Sequence, residues 1–458
     1  MNKLIVKEYF NKIAPSYDKH RKRYAYYHRT IQRFYSSIIP QGKGILEIGC
    51  ATGDLLSALM PTRGFGIDIS EEMICLAKEK HAELMFQVAD ISGLRGCDKF
   101  DYIVLSNLLD YSDDIIDLFS TLKLYLKPDS KIIITTVNPL WQPIIKLLEI
   151  LRLKESDKIR NFVTNRDVIN MLNLLDYDII EAGYRLLLPF YIPFFSYLAN
   201  KIFSRVPGIN NLCSLQFIVA KPKIAYKDLS CSIVVPCFNE VENIKECIES
   251  IPRLVPNTEI IVVDDGSTDG TAKVVEQLKR SSGHTIKLLS YKPNQGKGIA
   301  LERGFKECGG DVIIILDADM SVSPVELHRF IEPITRGRAE FINGTRMVYP
   351  IEEGAMSFLR FIGNKIFGII LSIMIGQRNT DVLCGTKSLL RSYIPYIKMG
   401  RCKWGDFDLL FGASKLKMKI IEMPIHYKAR IAGKSKMKLF KDTLYFLKAS
   451  WRGFNDLD

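Results

Sequence analysis

The chain has no long hydrophobic run free of charge, no paired cysteines, and only 6 histidines and 3 tryptophans. Its ten cysteines (Cys50, Cys75, Cys97, Cys213, Cys231, Cys237, Cys247, Cys308, Cys384 and Cys402) include no CxxC pair. That scatter excludes a zinc ribbon and a disulfide ladder, and points to a reducing, cytoplasmic home. The opening MNKLIVKEYFNK lacks the apolar core of a secretory leader. No low-complexity tract or short repeat occurs in the 458 residues, which excludes fibrous and disordered classes. Two segments approach membrane hydropathy. Residues 186–203, LLLPFYIPFFSYLANKIF, carry two prolines, Asn200 and Lys201; residues 355–376 are broken by Arg360, Asn364 and Lys365. Neither supplies the ~20 uninterrupted apolar residues of a spanning helix. The second reads instead as an amphipathic helix lying at a headgroup surface.

Positive charge is what the chain does have. The net charge is +12, and residues 391–458 hold fifteen Lys/Arg against six Asp/Glu. Such a tail suits nucleic acid, an anionic membrane surface or a phosphorylated ligand. A chain of this length exceeds one hydrophobic core, so two or three domains are expected. Strand patterns at 44–48, 64–69, 84–88, 102–106 and 131–137 alternate with helical ones. Ser70, followed by Glu71 and Glu72, suits a helix N-cap. The polar stretch AKPKIAYKD at 220–228 ends this rhythm, and strands resume at 231–235, 259–263, 285–289 and 312–316. The expectation is an α/β protein of two domains, 1–225 and 226–458, each with a parallel sheet covered on both faces.

In the first half, the strand GILEI runs into the turn Gly49-Cys-Ala-Thr-Gly53. Glycines there let the backbone approach a nucleoside, and the helix beyond offers free amides. Asp68, about twenty residues on and at the next strand end, is placed to accept ribose hydroxyls. Asp90, in VADIS, is placed for an adenine edge. The set ILEIGCATG, GIDIS, VADIS, FDYIVLSN and LKPDSKIIITTVNP, with the opening YFNKIAPSYD, resembles class I S-adenosylmethionine-dependent methyltransferases over residues 7–139. The resemblance implies a Rossmann-like fold, S-adenosyl-L-methionine as cofactor, and Glu47, Gly49, Ala51, Gly53, Asp68 and Asp90 as its contacts. Ala51 stands where the family most often has glycine. A dinucleotide site is disfavoured because the turn lacks G-x-G-x-x-G. The stretch SNLLDY at 106–111 lacks an N-P-P-Y signature, so nucleic acid is not the expected methyl acceptor. Tyr17, His20 and Asp110 are candidate acid–base groups for which structural duties are the first expectation.

In the second half, three strand ends carry acid: PCFNEVEN at 236–243, DDGSTD at 264–269 and LDADMS at 316–321. Asp317 and Asp319 close a run fit for a strand buried on both faces. Unpaired, two such carboxylates would raise each other's pKa, and a divalent cation bound by hard oxygens would resolve the conflict. Ser323, before Pro324, reads as the next helix N-cap. These motifs, with NQGKGIALERGF, INGTR, DVLCGTK and EMPIHYKARIAGKSKM, resemble family 2 glycosyltransferases of the GT-A fold, nearest to dolichol-phosphate and other polyprenyl-phosphate sugar synthases. The resemblance spans residues 232–439.

It implies a nucleotide-binding α/β core, a GDP- or UDP-sugar donor, a polyprenyl or dolichyl phosphate acceptor, and inverting, metal-dependent transfer. By motif, Pro236, Phe238, Glu240, Asp265, Ala318, Ser321, Arg346, Ser435 and Lys436 would meet the nucleotide-sugar. Asp317 and Asp319 would hold Mg²⁺ or Mn²⁺. Asp317, Asp319, Asp408 and Arg430 would be catalytic, with a register slip to Asp406 open. Phe238 replaces a frequent tyrosine, and Ser321 lies near a position where glutamine is common. The expected protein sits peripherally at the cytoplasmic face of a membrane and does not bind nucleic acid. The rival readings are an inactive glycosyltransferase module tethering the methyltransferase to lipid-linked glycans, and transfer to a hydroxyl of a soluble glycan or protein.

Overall fold

The computed structural model describes residues 3–94, 98–151, 161–206, 208–352, 355–402, 404–428 and 450. The chain divides into two compact units, Met1–Lys223 and Ile224–Asp458, each built on a seven-stranded sheet.

The first unit opens with helices α1 (Lys3–Arg23) and α2 (Ala25–Ile38). Then β1 (Gly44–Ile48), α3 (Asp54–Ala58), β2 (Arg63–Asp68), α4 (Glu71–Lys80), β3 (Met85–Val88) and β4 (Phe100–Ser106) follow. The unit closes with α5 (Ile115–Leu122), β5 (Leu126–Val137), α6 (Gln142–Ile150), α7 (Asn165–Leu174), β6 (Tyr177–Arg185), α8 (Phe195–Lys201) and β7 (Leu215–Pro222). Every residue of β1 is buried, Glu47 among them, as in a strand covered on both faces. Ser70 caps α4, its hydroxyl accepting the Met73 amide at 3.2 Å.

The strand order is β3-β2-β1-β4-β5-β7-β6. The first five strands are parallel, but β7 runs antiparallel to both β5 and β6. The expectation of an all-parallel sheet therefore fails at this edge. Strand β7 enters between β5 and the edge strand β6, a pairing between residues far apart in sequence that leaves no local trace.

The second unit comprises β8 (Cys231–Cys237), α9 (Ile244–Glu249), β9 (Thr258–Asp264), α10 (Thr271–Ser281), β10 (Thr285–Ser290), α11 (Lys297–Lys306) and β11 (Val312–Ile315). After these come α12 (His328–Thr335), β12 (Phe341–Thr345), α13 (Phe358–Ile375), β13 (Lys387–Leu390), α14 (Asp406–Lys415) and β14 (Ile420–Pro424). The order is β10-β9-β8-β11-β13-β12-β14. Strands β10, β9, β8 and β11 are parallel, whereas β13 is antiparallel to β11 and β12. Here too the sheet is mixed. The parallel set places the C-terminal ends of β8, β9 and β11 on one edge, and all three acidic stretches leave from it.

One local expectation changes. Ser323 precedes a 3₁₀ turn, Pro324–Leu327, and its side chain makes no capping hydrogen bond; the turn's short geometry puts α12 one step later. Helix α13 is amphipathic in a particular way: Leu371 and Ile375 are buried, while Ile362, Ile366, Ile369, Ile370 and Ile373 are exposed. Among the described residues no helix is long and apolar enough to cross a membrane.

Candidate functional site

In the first unit a cavity of about 820 Å³ opens where β1, β2 and β4 end. Glu47, Gly49, Ala51, Asp68 and Asp90 all line it. Asp68 ties the turn to the next helix, accepting the Ala51 and Ser70 amides at 2.9 Å each. Burial raises its pKa, and those amides oppose the rise. Asp90 accepts the Ile91 amide at 2.7 Å and Lys3 Nζ at 2.5 Å, so it also anchors α1. Ala51 adopts φ +45°, the left-handed region that explains why glycine is frequent at this place. Gly53 differs from the expectation. It packs against Phe86, 2.6 Å from where a Cβ would sit, rather than lining the cavity.

Glu47 carries the chemistry of this end. Burial pushes its pKa up to about 8, an effect opposed by the Leu56 amide and then by Arg21. Its Oε2 is buried without a hydrogen-bond partner. A buried acceptor in that state calls for a donor from a ligand. A nucleoside cofactor with hydroxyl and ammonium donors fits that requirement.

Sequence reading missed Arg21 and His28, because neither belongs to a strand-end motif. Helices α1 and α2 bring both to the cavity. Arg21 pairs with Asp54. Burial, then Arg21, lowers the His28 pKa to about 4, which leaves a neutral imidazole at pH 7. Tyr17 also lines the cavity, and burial pushes its phenol up to about 12.

In the second unit the two acids closing the β11 run are separated by their partners. Lys297 Nζ lies 2.5 Å from Asp317 Oδ1. Desolvation alone would lower the Lys297 pKa, but Asp317 foremost, then Asp406, raise it above the ordinary lysine value. Asp319 turns Oδ1 toward the Ser321 amide (3.1 Å) and hydroxyl (2.7 Å). Each acid thus has a partner within the chain, Asp317 the Lys297 ammonium and Asp319 the Ser321 amide and hydroxyl. Lys297 begins α11, in the NQGKG stretch. The backbone of Gly385 passes over this pair, so that a Cβ there would fall 1.9 Å from Asp317 Oδ2 and 2.8 Å from Lys297 Nζ.

Three further expected site residues have partners within the chain. Asp265 accepts the Gln295 and Gly296 amides at 2.7 Å each, fixing the loop that delivers Lys297. Arg346, expected to meet phosphate, is buried against Asp381 in a bidentate pair, 2.7 Å at both Nε and Nη2. Asp408 accepts the Arg401 and Cys402 amides at 2.9 and 3.0 Å. Asp406, two residues earlier, is the acid whose charge acts on Lys297. It lies 3.2 Å from Lys387, whose Nζ also donates to Asn343 Oδ1 at 2.7 Å. One residue of register moves a helical side chain by about 100°, so a two-residue slip exchanges faces.

Among the other expected contacts, Pro236 is half-buried at the end of β8, and Ala318 is buried. Phe238 is half-buried on the same strand exit. Glu240 accepts Asn243 Nδ2 at 2.8 Å. Arg430, Ser435 and Lys436 lie outside the described residues. No group of three or more His, Cys, Asp or Glu side chains surrounds a metal-sized position among the described residues. Asp317 and Asp319 still offer hard oxygen donors one residue apart, which fits a hard divalent cation whose shell is completed by phosphate oxygens and water.

Residues 17–182 match the family model for a methyltransferase domain, and residues 232–396 match glycosyl transferase family 2. The dolichol-phosphate mannosyltransferase of Pyrococcus furiosus is 29% identical over 216 residues, 45% of this chain and 59% of that protein. An undecaprenyl-phosphate 4-deoxy-4-formamido-L-arabinose transferase of Pseudomonas fluorescens is 36% identical over 210 residues, again 45% and 59%. Polyprenol monophosphomannose synthase of Mycolicibacterium smegmatis is 27% identical over 214 residues, 45% of this chain and 80% of its own. The chain spans 59% of the length of the first of these relatives.

Among solved structures, the magnesium protoporphyrin IX methyltransferase from Synechocystis, with bound SAH, covers 48% of this chain and 100% of its own, at 18% identity and TM-score 0.35. The glucosyl-3-phosphoglycerate synthase from Mycobacterium tuberculosis covers 49% of this chain and 78% of its own, at 19% identity and TM-score 0.39. The chain carries a methyltransferase domain followed by a family 2 glycosyltransferase domain.

Proposed function

We propose that the second unit transfers a sugar from a GDP- or UDP-sugar to a polyprenyl or dolichyl phosphate, and that the first is an S-adenosylmethionine-dependent methyltransferase of the same glycan or lipid pathway. The observation that carries the first half of this reading is the gathering of Asp317, Asp319, Lys297 and Asp406 at one sheet edge, in a chain whose curated relatives are named for lipid-phosphate acceptors. The orphaned Glu47 oxygen supports the second half.

The nucleotide would lie against the turns that leave β8 and β9, near Pro236, Phe238, Glu240 and the loop held by Asp265. Asp317 and Asp319 would hold Mg²⁺ or Mn²⁺, which supplies positive charge beside the departing diphosphate. Lys297 meets the same developing charge from the protein side. An acceptor phosphate oxygen forms the new bond to the anomeric carbon while the bond to the nucleoside diphosphate breaks, with inversion. A lipid phosphate is already anionic, so no strong base is required; Asp406 is the base available to a hydroxyl acceptor. Arg430, Ser435 and Lys436 would hold phosphate. The exposed isoleucines of α13, with the basic C-terminal excess, would rest the unit on the cytoplasmic face of a membrane.

The test is direct. Purified protein with Mn²⁺, a short polyprenyl phosphate and labelled GDP- and UDP-sugars should yield a labelled lipid. Folded protein that transfers from no donor refutes the reading and favours the tether. S-adenosylhomocysteine binding by calorimetry tests the first unit on its own.

A further inference from the structure

The lining of the first unit's cavity is of two chemical kinds. Glu47, Asp68 and Asp90 account for one. The other is formed by Trp141, Ile144, Ile145 and Leu148, around α6, and by Pro189 and Phe190. Trp141 donates its indole N–H to the Leu212 carbonyl at 2.8 Å, so only its hydrocarbon face is left for a ligand. Ile144 and Phe190 line the cavity and are also exposed, so the apolar wall continues onto the surface. Ile150, 77% exposed, extends it along α6, and Phe194 and Phe195, 71% and 63% exposed, extend it along the following segment.

These rings are held outward by a built loop. The buried Ser196 hydroxyl donates to the Phe190 carbonyl at 2.9 Å and accepts the Ile192 amide at 2.6 Å. Asn200 accepts the Leu188 amide and donates to the Leu188 carbonyl, both at 2.9 Å, and donates to the Tyr26 hydroxyl at 3.0 Å. Phe194 is fixed at φ +66°, a conformation unfavourable for a phenylalanine. Apolar side chains held at the surface by buried polar bonds mark a place where something apolar is covered. A flat bilayer cannot enter a cavity, whereas a flexible chain leaving it would run over Ile144 and Phe190.

Resting on the reading of this cavity as a methyl-transfer site, we propose that the methyl acceptor carries a long hydrocarbon chain, bound along the α6 wall of the cavity and over the 188–196 loop, with its polar head toward Glu47. The full chain, saturated with S-adenosylhomocysteine, is irradiated with a C15 isoprenoid phosphate bearing a diazirine at its tail. Labelling mapped by mass spectrometry should fall on residues 141–151 and 188–196. Unlabelled isoprenoid phosphate should displace it and inorganic phosphate should not. The variant Phe194→Ser/Phe195→Ser should cut that labelling at least tenfold, with S-adenosylhomocysteine affinity within twofold.

Labelling confined to the second unit overturns the proposal. So does a surface that binds phosphatidylcholine vesicles without being labelled, or one that sediments as a dimer lost in the double variant. Failure of the wild-type chain to bind S-adenosylhomocysteine would strike the methyltransferase reading instead, and the site of labelling would still decide where the chain lies.

Discussion

At the scale of single residues, the second unit turns on one ammonium. Asp317 follows the buried strand β11 and is paired with Lys297. Breaking a buried pair leaves an uncompensated charge, at about 3–5 kcal/mol when both partners are fully buried. Asp317 is about a third exposed, so solvent screens part of this. Lys297→Met should therefore cost the second unit roughly 1–2 kcal/mol in denaturant unfolding. Its effect on sugar transfer should be larger, at least a hundredfold, because the variant also loses the charge proposed to face the diphosphate. Equal small losses in both measurements would restrict Lys297 to a structural role.

Glu47 gives a prediction in pH. Its folded pKa is raised by burial to about 8, against an ordinary value of 4.5. Between those values the native state holds a proton that the unfolded chain has released. The stabilising contribution is thus complete below about pH 4.5 and is lost as pH rises through about 8. Hydrogen exchange of the β1 and β4 amides should show protection falling across that window. Glu47→Gln, which remains neutral, should flatten the fall; an unchanged slope would assign it to another group.

At the scale of elements, α14 separates two acids that the linear motif cannot. Asp408 faces the 401–402 backbone, and Asp406 faces the lysines. Asp408→Asn should lower stability by about 1–2 kcal/mol through the weakened amide contacts, with transfer per folded molecule nearly unchanged. Asp406→Asn should reduce transfer at least tenfold. The opposite ranking, read from initial rates and unfolding midpoints, would restore Asp408 to the site. The same logic applies just before β13, where Gly385 leaves room for the Asp317–Lys297 pair and any side chain would collide with it. Strand ends deliver acids to an edge by a simple rule of parallel topology. Which side chain on a following helix points there depends on register, and so on tertiary packing.

At the scale of the whole molecule, the contacts fall into two units that meet at Lys223 and Ile224, and each has its own core. The two chemistries should therefore be separable by mutation. Asp319→Ala should abolish sugar transfer and leave S-adenosylhomocysteine affinity within twofold. Gly49→Val should do the reverse, since its Cβ would meet Leu108 Cδ1 at 2.9 Å on a backbone at φ +72°. Loss of both activities in either variant would show that the units fold together.

The alternating strands, the glycine turn after β1 and the acidic ends of β8, β9 and β11 are written in local apolar runs and turn residues, so the sequence by itself determined two α/β units with ligand-facing edges. Only the tertiary structure decided how charge is balanced there: Lys297 with Asp317, Arg346 with Asp381, Asp406 inward and Asp408 against its own loop. It also decided where β7 enters its sheet. The physical reason is range. Burial pattern and turn chemistry act between near neighbours along the chain, whereas the partner of a buried charge is whichever group strand order and helix register carry to within a few ångströms of it.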